Sequence, residues 1–284
     1  MTEKPNISFE FFPPKTDALE ESLLNATRLL APFQPRFVSV TYGAGGTTRD
    51  RTHKIVTHLQ TDFHMPTAAH LTCVGASRGD IDAIAQNYWQ QGITHLVALR
   101  GDPPDMKDAY TPHPEGYAYA ADLVAGLRRI AAFQISVAAY PETHPEATSA
   151  EDDLDNLKRK MDAGATQAIT QFFLDTGAYL RFRDRAIKAG ITQPIIPGML
   201  PISNFTRAAE FAAKCGAAVP ESLRKRFDGI AAGTPEHQTI ALAFAQEQIT
   251  ELRQAGVKDF HFYTLNRADL VAPLCEGLKK ETHK

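Results

Sequence analysis

The chain has 284 residues, a formal charge of -3 and a sequence pI near 6.4, a length suited to one large domain or two modest ones. This near-neutral balance supplies no broad cationic field of the kind that gathers nucleic acid or an anionic membrane, so small-molecule partners are expected. The three cysteines, Cys73, Cys215 and Cys275, are odd in number and far apart, which argues against a disulfide framework or a CxxC zinc pair and fits a reducing cytoplasm.

Taken in chain order, Met1 to Asn6 is polar and lacks a signal-peptide core, and no apolar run approaches the ~20 residues needed to cross a bilayer. Short apolar runs bounded by turn signals then predict eight strands: Ile7 to Phe11, Phe37 to Thr41, Thr67 to Thr72, His95 to Leu99, Ile135 to Tyr140, Ala168 to Phe173, Pro194 to Met199 and Asp259 to Thr264. Helical stripes lie between them, among them Leu19/Leu23/Leu30, Ile81/Ile84/Ala85/Tyr88, Leu154/Leu157/Met161 and Ile240/Phe244/Ile249/Leu252. Four helices end alike, at Gly92-Ile93-Thr94, Gly164-Ala165-Thr166, Gly190-Ile191-Thr192 and Gly256-Val257-Lys258, with glycine suited to the left-handed position after a helix. Eight strands alternating with helices predict an α/β chain folded as a single-domain (β/α)8 barrel, with polar groups collected at the C-terminal strand ends. Asp102 to Tyr117 is too long for a routine strand-to-helix loop and reads as a lid or binding loop, while Val219-Pro220-Glu221-Ser222 predicts an extra short helix.

Several strand ends carry candidate chemistry. Alternation places Ser8 and Glu10 on the barrel face and Ile7, Phe9 and Phe11 toward the helices. A carboxylate ringed by phenylalanines is costly to ionise, so Glu10 is expected to have a raised pKa and to act as a general acid; the alternative is a strand-end glutamate paired with Lys15. At Arg100-Gly101-Asp102 the glycine admits close approach of a flat ligand and Asp102 can act on it, the alternative being a turn with an Arg-Asp pair. In the fifth unit, Tyr140-Pro141-Glu142-Thr143-His144 leads into a helix with Ser149 and Asp152 as a capping box. On that helix Asp153, Asn156 and Lys160 share a face, with Arg159 near, a pattern suited to the ribose and pyrophosphate of a dinucleotide or to an ordinary solvated face. His70 ends the third strand as core residue or ligand, and Gln171 lies among aromatics as a clamp for a heterocycle. Asn266 and Arg267 end the eighth strand, where barrels often bind anions. The glycines of Tyr42-Gly43-Ala44-Gly45-Gly46 match neither the Walker nor the GxGxxG pattern, and no HExxH, GxSxG or metal-spaced cluster occurs, so no metal is expected.

Ser8-Phe9-Glu10-Phe11-Phe12-Pro13-Pro14, Val38-Ser39-Val40-Thr41-Tyr42-Gly43-Ala44, His70-Leu71-Thr72-Cys73, Leu99-Arg100-Gly101-Asp102, Ala139-Tyr140-Pro141-Glu142, Thr170-Gln171-Phe172-Phe173, Pro197-Gly198-Met199-Leu200-Pro201 and Phe260-His261-Phe262-Tyr263-Thr264-Leu265-Asn266-Arg267 follow one another in order. Together they resemble the bacterial methylenetetrahydrofolate reductases from Asn6 to about Cys275. The resemblance implies an FAD-bearing (β/α)8 barrel that reduces 5,10-methylenetetrahydrofolate to 5-methyltetrahydrofolate with NADH or NADPH by ping-pong kinetics, in one-carbon metabolism and methionine synthesis. It implies a cytoplasmic homo-oligomer of catalytic domains that span residues 1–284 without a C-terminal regulatory domain. By the same resemblance Glu10, Asp102 and Gln171 are catalytic, Gln171 serving nicotinamide and folate in turn. The FAD positions it carries over are Tyr42, Ala44, His70, Arg100, Gly101, Asp102, Tyr119, Ala120, Tyr140, His144, Ala147, Asp153, Asn156, Arg159 and Lys160. Thr41, Gln171, Phe211 and Arg267 would bind substrate, and Arg207 stands where the family carries a glutamine. Proline dehydrogenase, another flavin-bearing barrel, and a non-catalytic flavin or folate binding subunit are the competing readings.

Overall fold

The recurring glycines hand each outer helix back to the barrel. The computed structural model describes residues 5–42, 49–103, 105 and 109–280. Gly92, Gly164, Gly190 and Gly256 have φ values of 79°, 114°, 86° and 85°. In each case the N–H of the following residue returns to the last helical turn: Ile93 to Tyr88, Ala165 to Lys160, Ile191 to Ala186 and Val257 to Leu252. This closure needs a left-handed residue, which glycine adopts without a steric penalty, and it aims the chain into the next strand.

Strands β1 (Asn6–Phe11), β2 (Phe37–Val40), β3 (Thr67–Thr72), β4 (His95–Leu99), β5 (Gln134–Ala139), β6 (Gln167–Thr170), β7 (Ile195–Ile196), β8 (Gly198–Met199) and β9 (Asp259–Tyr263) form one parallel sheet in the order β7-β6-β5-β4-β3-β2-β1-β9-β8. β7 and β8 are two halves of a single barrel strand broken at Pro197, which has no N–H to donate. The first half pairs with β6 and the second with β9, so the sheet closes as a (β/α)8 barrel. The Gly198 N–H meets Thr170 Oγ1 at 2.9 Å, and a Cβ on Gly198 would stand 2.1 Å from the Thr170 carbonyl oxygen and 2.6 Å from the Tyr263 ring. Closure therefore depends on the missing side chain.

Helices α1 (Asp17–Leu30), α2 (Arg49–Thr61), α3 (Arg78–Gln90), α4 (Ala120–Ile130), α5 (Ala150–Asp162), α6 (Thr176–Lys188), α7 (Phe205–Cys215), α8 (Glu221–Arg226), α9 (Pro235–Gln254) and α10 (Val271–Lys280) surround the sheet. α8 is the short helix that Pro220 predicts. Leu19 is 47% exposed in the first turn of α1, while Leu23 and Leu30 are buried against the strands. β6 stops at Thr170, before the predicted Phe173, because the side-chain Oε1 of Gln171 takes the Phe172 N–H at 2.9 Å.

The main core lies between strands and helices, where Phe9, Phe11, Phe260 and Phe262 meet residues such as Leu23, Leu30 and Leu274. Inside the barrel a small apolar plug is formed by Phe37, Ala68, Val97 and Ile169. The rest of the interior holds buried Ser8, Ser39, His70, His95, Ser136, Gln167 and His261, where barrels commonly place Val, Ile and Leu. Buried polar groups need partners, and Ser136 Oγ meets both His95 Nε2 and Gln167 Nε2 at 2.8 Å. Burial pushes His95 down to about 3, so this histidine is neutral at pH 7.

Candidate active site

Alternation on β1 turns Glu10 inward, and the parallel register sets it beside Ser39 of β2 and Tyr263 of β9. Ser39 Oγ donates to Glu10 Oε2 at 3.2 Å; His70 Nε2 lies 3.2 Å and His261 Nε2 3.4 Å from the same oxygen. The other nitrogen of His261 meets Ser8 Oγ at 2.8 Å. Phe9 and Phe11 face the helices, so the neighbours of Glu10 are histidines and a serine, neither phenylalanines nor Lys15.

The expected upward pKa shift is thereby reversed. Burial pushes the Glu10 carboxyl up, but the charge of nearby His70 and the hydrogen bond with His261 outweigh it and hold the group well below the usual carboxylate range. Sequence reasoning singled out Glu10 and His70 but gave no part to His261, Ser39 or Ser8. The signal was available on β9, where Asp259, His261 and Tyr263 alternate with the outward Phe260 and Phe262.

From Glu10 the polar cluster continues across the strand ends. Tyr263 Oη donates to the Thr170 carbonyl at 2.6 Å, and burial, with the charge of Glu10 adding, raises its phenol well above the ordinary value. Burial also pushes Tyr140 up to about 12, with the charges of Asp102 and Asp153 adding, while nearby Gln171 opposes the shift. Glu10, Tyr263, Tyr140, Gln171 and Asp102 thus stand at the ends of β1, β9, β5, β6 and β4, near enough that Tyr263 feels the charge of Glu10 and Tyr140 that of Asp102.

At the end of β4, Arg100 forms a two-armed ion pair with Glu146, stands 3.7 Å from Asp102 and lies 4.6 Å over the Tyr110 ring. Gly101 has φ 83°, and a Cβ there would stand 2.6 Å from Val74 Cγ1 and 2.9 Å from Thr72 Cβ. The protein's own packing therefore already requires this glycine, a reason the sequence did not disclose. Tyr119 precedes α4 as an exposed cap residue 5.8 Å from Tyr110, and Ala120 opens the helix.

In the fifth unit the His144 N–H donates to Asp153 Oδ2 at 3.0 Å, its ring stands edge-on to Tyr140 at 4.5 Å, and the Ala147 N–H returns to the His144 carbonyl at 2.9 Å. Ser149 caps α5, but the capping box is half formed, because the Asp152 carboxylate accepts from Thr148 Oγ1 at 3.2 Å. Asn156 and Arg159 are exposed, whereas Lys160 turns inward beside Leu157 and Met161 with Nζ 2.6 Å from the Ala138 carbonyl. Burial pushes Lys160 down to about 8, although nearby Asp153 opposes the shift.

Thr41 and Tyr42 follow β2; the Thr41 N–H meets the Phe11 carbonyl at 3.0 Å, and Ala44 lies outside the described residues. Phe211 is 46% exposed and stacks on buried Phe172 at 5.2 Å and 16°. Arg267 is held by Asp269 and lines an outer groove with Ala18 and Glu21 of α1. Arg207 is exposed in the first turn of α7.

A family model described as methylenetetrahydrofolate reductase matches residues 1–279. The 5,10-methylenetetrahydrofolate reductase of Salmonella typhimurium is 49% identical over 273 residues, covering 96% of this chain and 90% of that protein, and the Escherichia coli enzyme matches equally. Methylenetetrahydrofolate reductase (NADH) 1 of Arabidopsis thaliana is 36% identical over 270 residues, which span 91% of this chain and 46% of that one. Among solved structures, a Clostridium thermocellum protein described as binding two copies of 5-methyl-5,6,7,8-tetrahydrofolic acid is similar with a TM-score of 0.67, covering 98% of this chain and 96% of that one. Its 15% identity makes this a likeness of fold.

Proposed function

The chain belongs to the methylenetetrahydrofolate reductase family, and from that premise we propose that it reduces 5,10-methylenetetrahydrofolate to 5-methyltetrahydrofolate with electrons from NADH or NADPH carried by bound FAD. The observation that carries this reading is the gathering of Glu10, Tyr263, Tyr140, Gln171 and Asp102 at the C-terminal strand ends of one barrel.

The residues present fit FAD. Arg100, Arg159 and the buried Lys160 offer cations to a pyrophosphate from the β4 and β5 ends, and Asp153 offers a carboxylate to a ribose hydroxyl. Beside Gly101, Thr72 Oγ1 is buried with no hydrogen-bond partner, an unspent polar group of the kind a ligand atom satisfies. We place FAD against these and the other carried-over positions, Tyr42, Ala44, His70, Tyr119, Ala120, Tyr140, His144, Ala147 and Asn156. When bound, FAD supplies the two-electron relay between nicotinamide and folate.

The chain's own residues supply position and protons. Glu10 delivers a proton to the folate nitrogen that releases the methylene bridge, opening the five-membered ring to a cationic iminium. The carboxyl is deprotonated before substrate enters, and the proton it delivers reaches Oε2 along a path lined by the imidazoles of His70 and His261, 3.2 and 3.4 Å away. Asp102 places negative charge where the cation develops. Gln171, its side-chain oxygen held by the Phe172 N–H, presents its amide to nicotinamide and folate in turn, with Thr41 near the nicotinamide, Phe211 against a bound ring and Arg267 toward the folate. One location serving two substrates requires alternating binding and ping-pong kinetics, in a cytoplasmic homo-oligomer that feeds methionine synthesis.

The test is anaerobic. Yellow purified protein is bleached by NADH or NADPH and regains its colour with methylenetetrahydrofolate, and double-reciprocal plots are parallel. Bleaching by proline, or no re-oxidation by folate, overturns the reading; intersecting lines remove the shared location.

A further inference from the structure

The ladder between β1 and β9 ends at Glu10 and Tyr263, yet the two segments stay joined beyond it. Thr264 first takes over, its N–H and Oγ1 both donating to the Glu10 carbonyl at 3.1 and 2.7 Å. Asn266 then reaches back with its side chain: the Phe12 N–H donates to Asn266 Oδ1 at 2.8 Å, and Asn266 Nδ2 donates to the Phe12 carbonyl at 2.9 Å. A single amide thus replaces the pair of main-chain bonds that a neighbouring strand residue would exchange with Phe12.

The backbone adopts an uncommon shape to allow this. Leu265 and Asn266 are consecutive residues with φ of 53° and 56°, and a bulky leucine in that region is strained. The Asn266 side chain is nearly buried, and its N–H and carbonyl are also held, by Thr264 Oγ1 at 3.1 Å and by Ser22 Oγ at 3.2 Å. Leu265 and Phe12 remain 37% and 40% exposed at the same strand ends as Glu10 and Tyr263. Strain kept on an exposed apolar side chain by a buried clamp serves placement of that side chain.

We infer that Asn266 is a positioning residue whose amide clamp on Phe12 holds Leu265 and Phe12 as an apolar lip at the strand ends of Glu10 and Tyr263, against which the folate seats. The inference rests on the proposed reductase reading. Aspartate is the same size but cannot donate to the Phe12 carbonyl, and glutamine is one methylene too long, so the role is particular to asparagine.

The experiment compares parent, Asn266→Asp, Leu265→Gly and the double variant. Each is measured for 5-methyltetrahydrofolate binding by calorimetry, for flavin bleaching by NADH, and for folate KM and kcat. Glycine tolerates the left-handed φ and leaves the clamp intact while removing the lip. Asn266→Asp is expected to weaken folate binding and raise its KM by about tenfold, the scale of one lost buried hydrogen bond. The rate of bleaching stays within about twofold, and the double variant is no worse than Leu265→Gly, because both act through one side chain. Unchanged folate binding in either single variant overturns the inference. So does an equal loss of flavin, bleaching and folate binding in Asn266→Asp, which marks a merely structural role. If Asn266→Asp does not fold, Leu265→Gly decides alone. Failure of the parent protein to pass electrons from NADH to folate is a failure of the reductase reading and is recognised before any variant is compared.

Discussion

His70 Nε2 stands 3.2 Å from Glu10 Oε2 inside the barrel, and His261 approaches the same oxygen from β9 at 3.4 Å. The pairing turns what would be a neutral buried acid into a carboxylate held between two imidazoles. Its consequences extend to catalysis and to stability.

Glu10→Gln removes the proton path and keeps the shape. The variant is expected to retain FAD and to be bleached by NADH at the parent rate, while folate turnover falls by about 10² to 10⁴-fold, the range for a lost general acid. Stopped-flow traces of the two half-reactions separate these outcomes; equal folate turnover would take Glu10 out of the mechanism.

Acid should weaken the fold in part through the same carboxyl. Its folded pKa lies below the ordinary 4.5, so its contribution is complete above pH 4.5 and is lost as pH falls toward the folded value. Urea unfolding at several pH values from about 6 to 3 is expected to show the advantage of the parent over Glu10→Gln shrinking with acid. A pH-independent difference would mean that the histidines do not stabilise the charged form.

Lys160 carries an opposite linkage. Burial pushes it from 10.5 down to about 8, so between those values the unfolded chain holds a proton that the folded chain lacks, and stability of the FAD-free protein from this residue rises with pH. Affinity for an anionic pyrophosphate moves the other way, falling by up to about tenfold per pH unit above 8 as the ammonium is lost. Fluorescence titration of FAD from about pH 7 to 9 is expected to show this slope in the parent and a flat profile in Lys160→Met. A sloping Lys160→Met profile assigns the effect elsewhere.

Gly198→Ala would press a methyl group on the Thr170 carbonyl and the Tyr263 ring, at 2.1 and 2.6 Å before relaxation. A cost of about 1–3 kcal/mol is expected from overpacking, read as a lower urea midpoint with an unchanged slope. Parent-like stability would show that β8 can shift without opening the barrel.

Local signals in the chain determined much of this protein. Apolar runs placed the strands to within a few residues, the four glycines marked the helix exits, and alternation turned Glu10 inward, because each of these depends on neighbours a few positions away. The ordered strand-end motifs carried the family resemblance. Only the tertiary structure decided the ionisation of Glu10, since His261 is 251 positions away and a pKa follows distance through space. It also decided that one interrupted strand closes the sheet at Pro197, and that the Asn266 amide completes a ladder with Phe12 across 254 positions. Closing a barrel joins the two ends of a chain, and no local pattern records which side chains then meet.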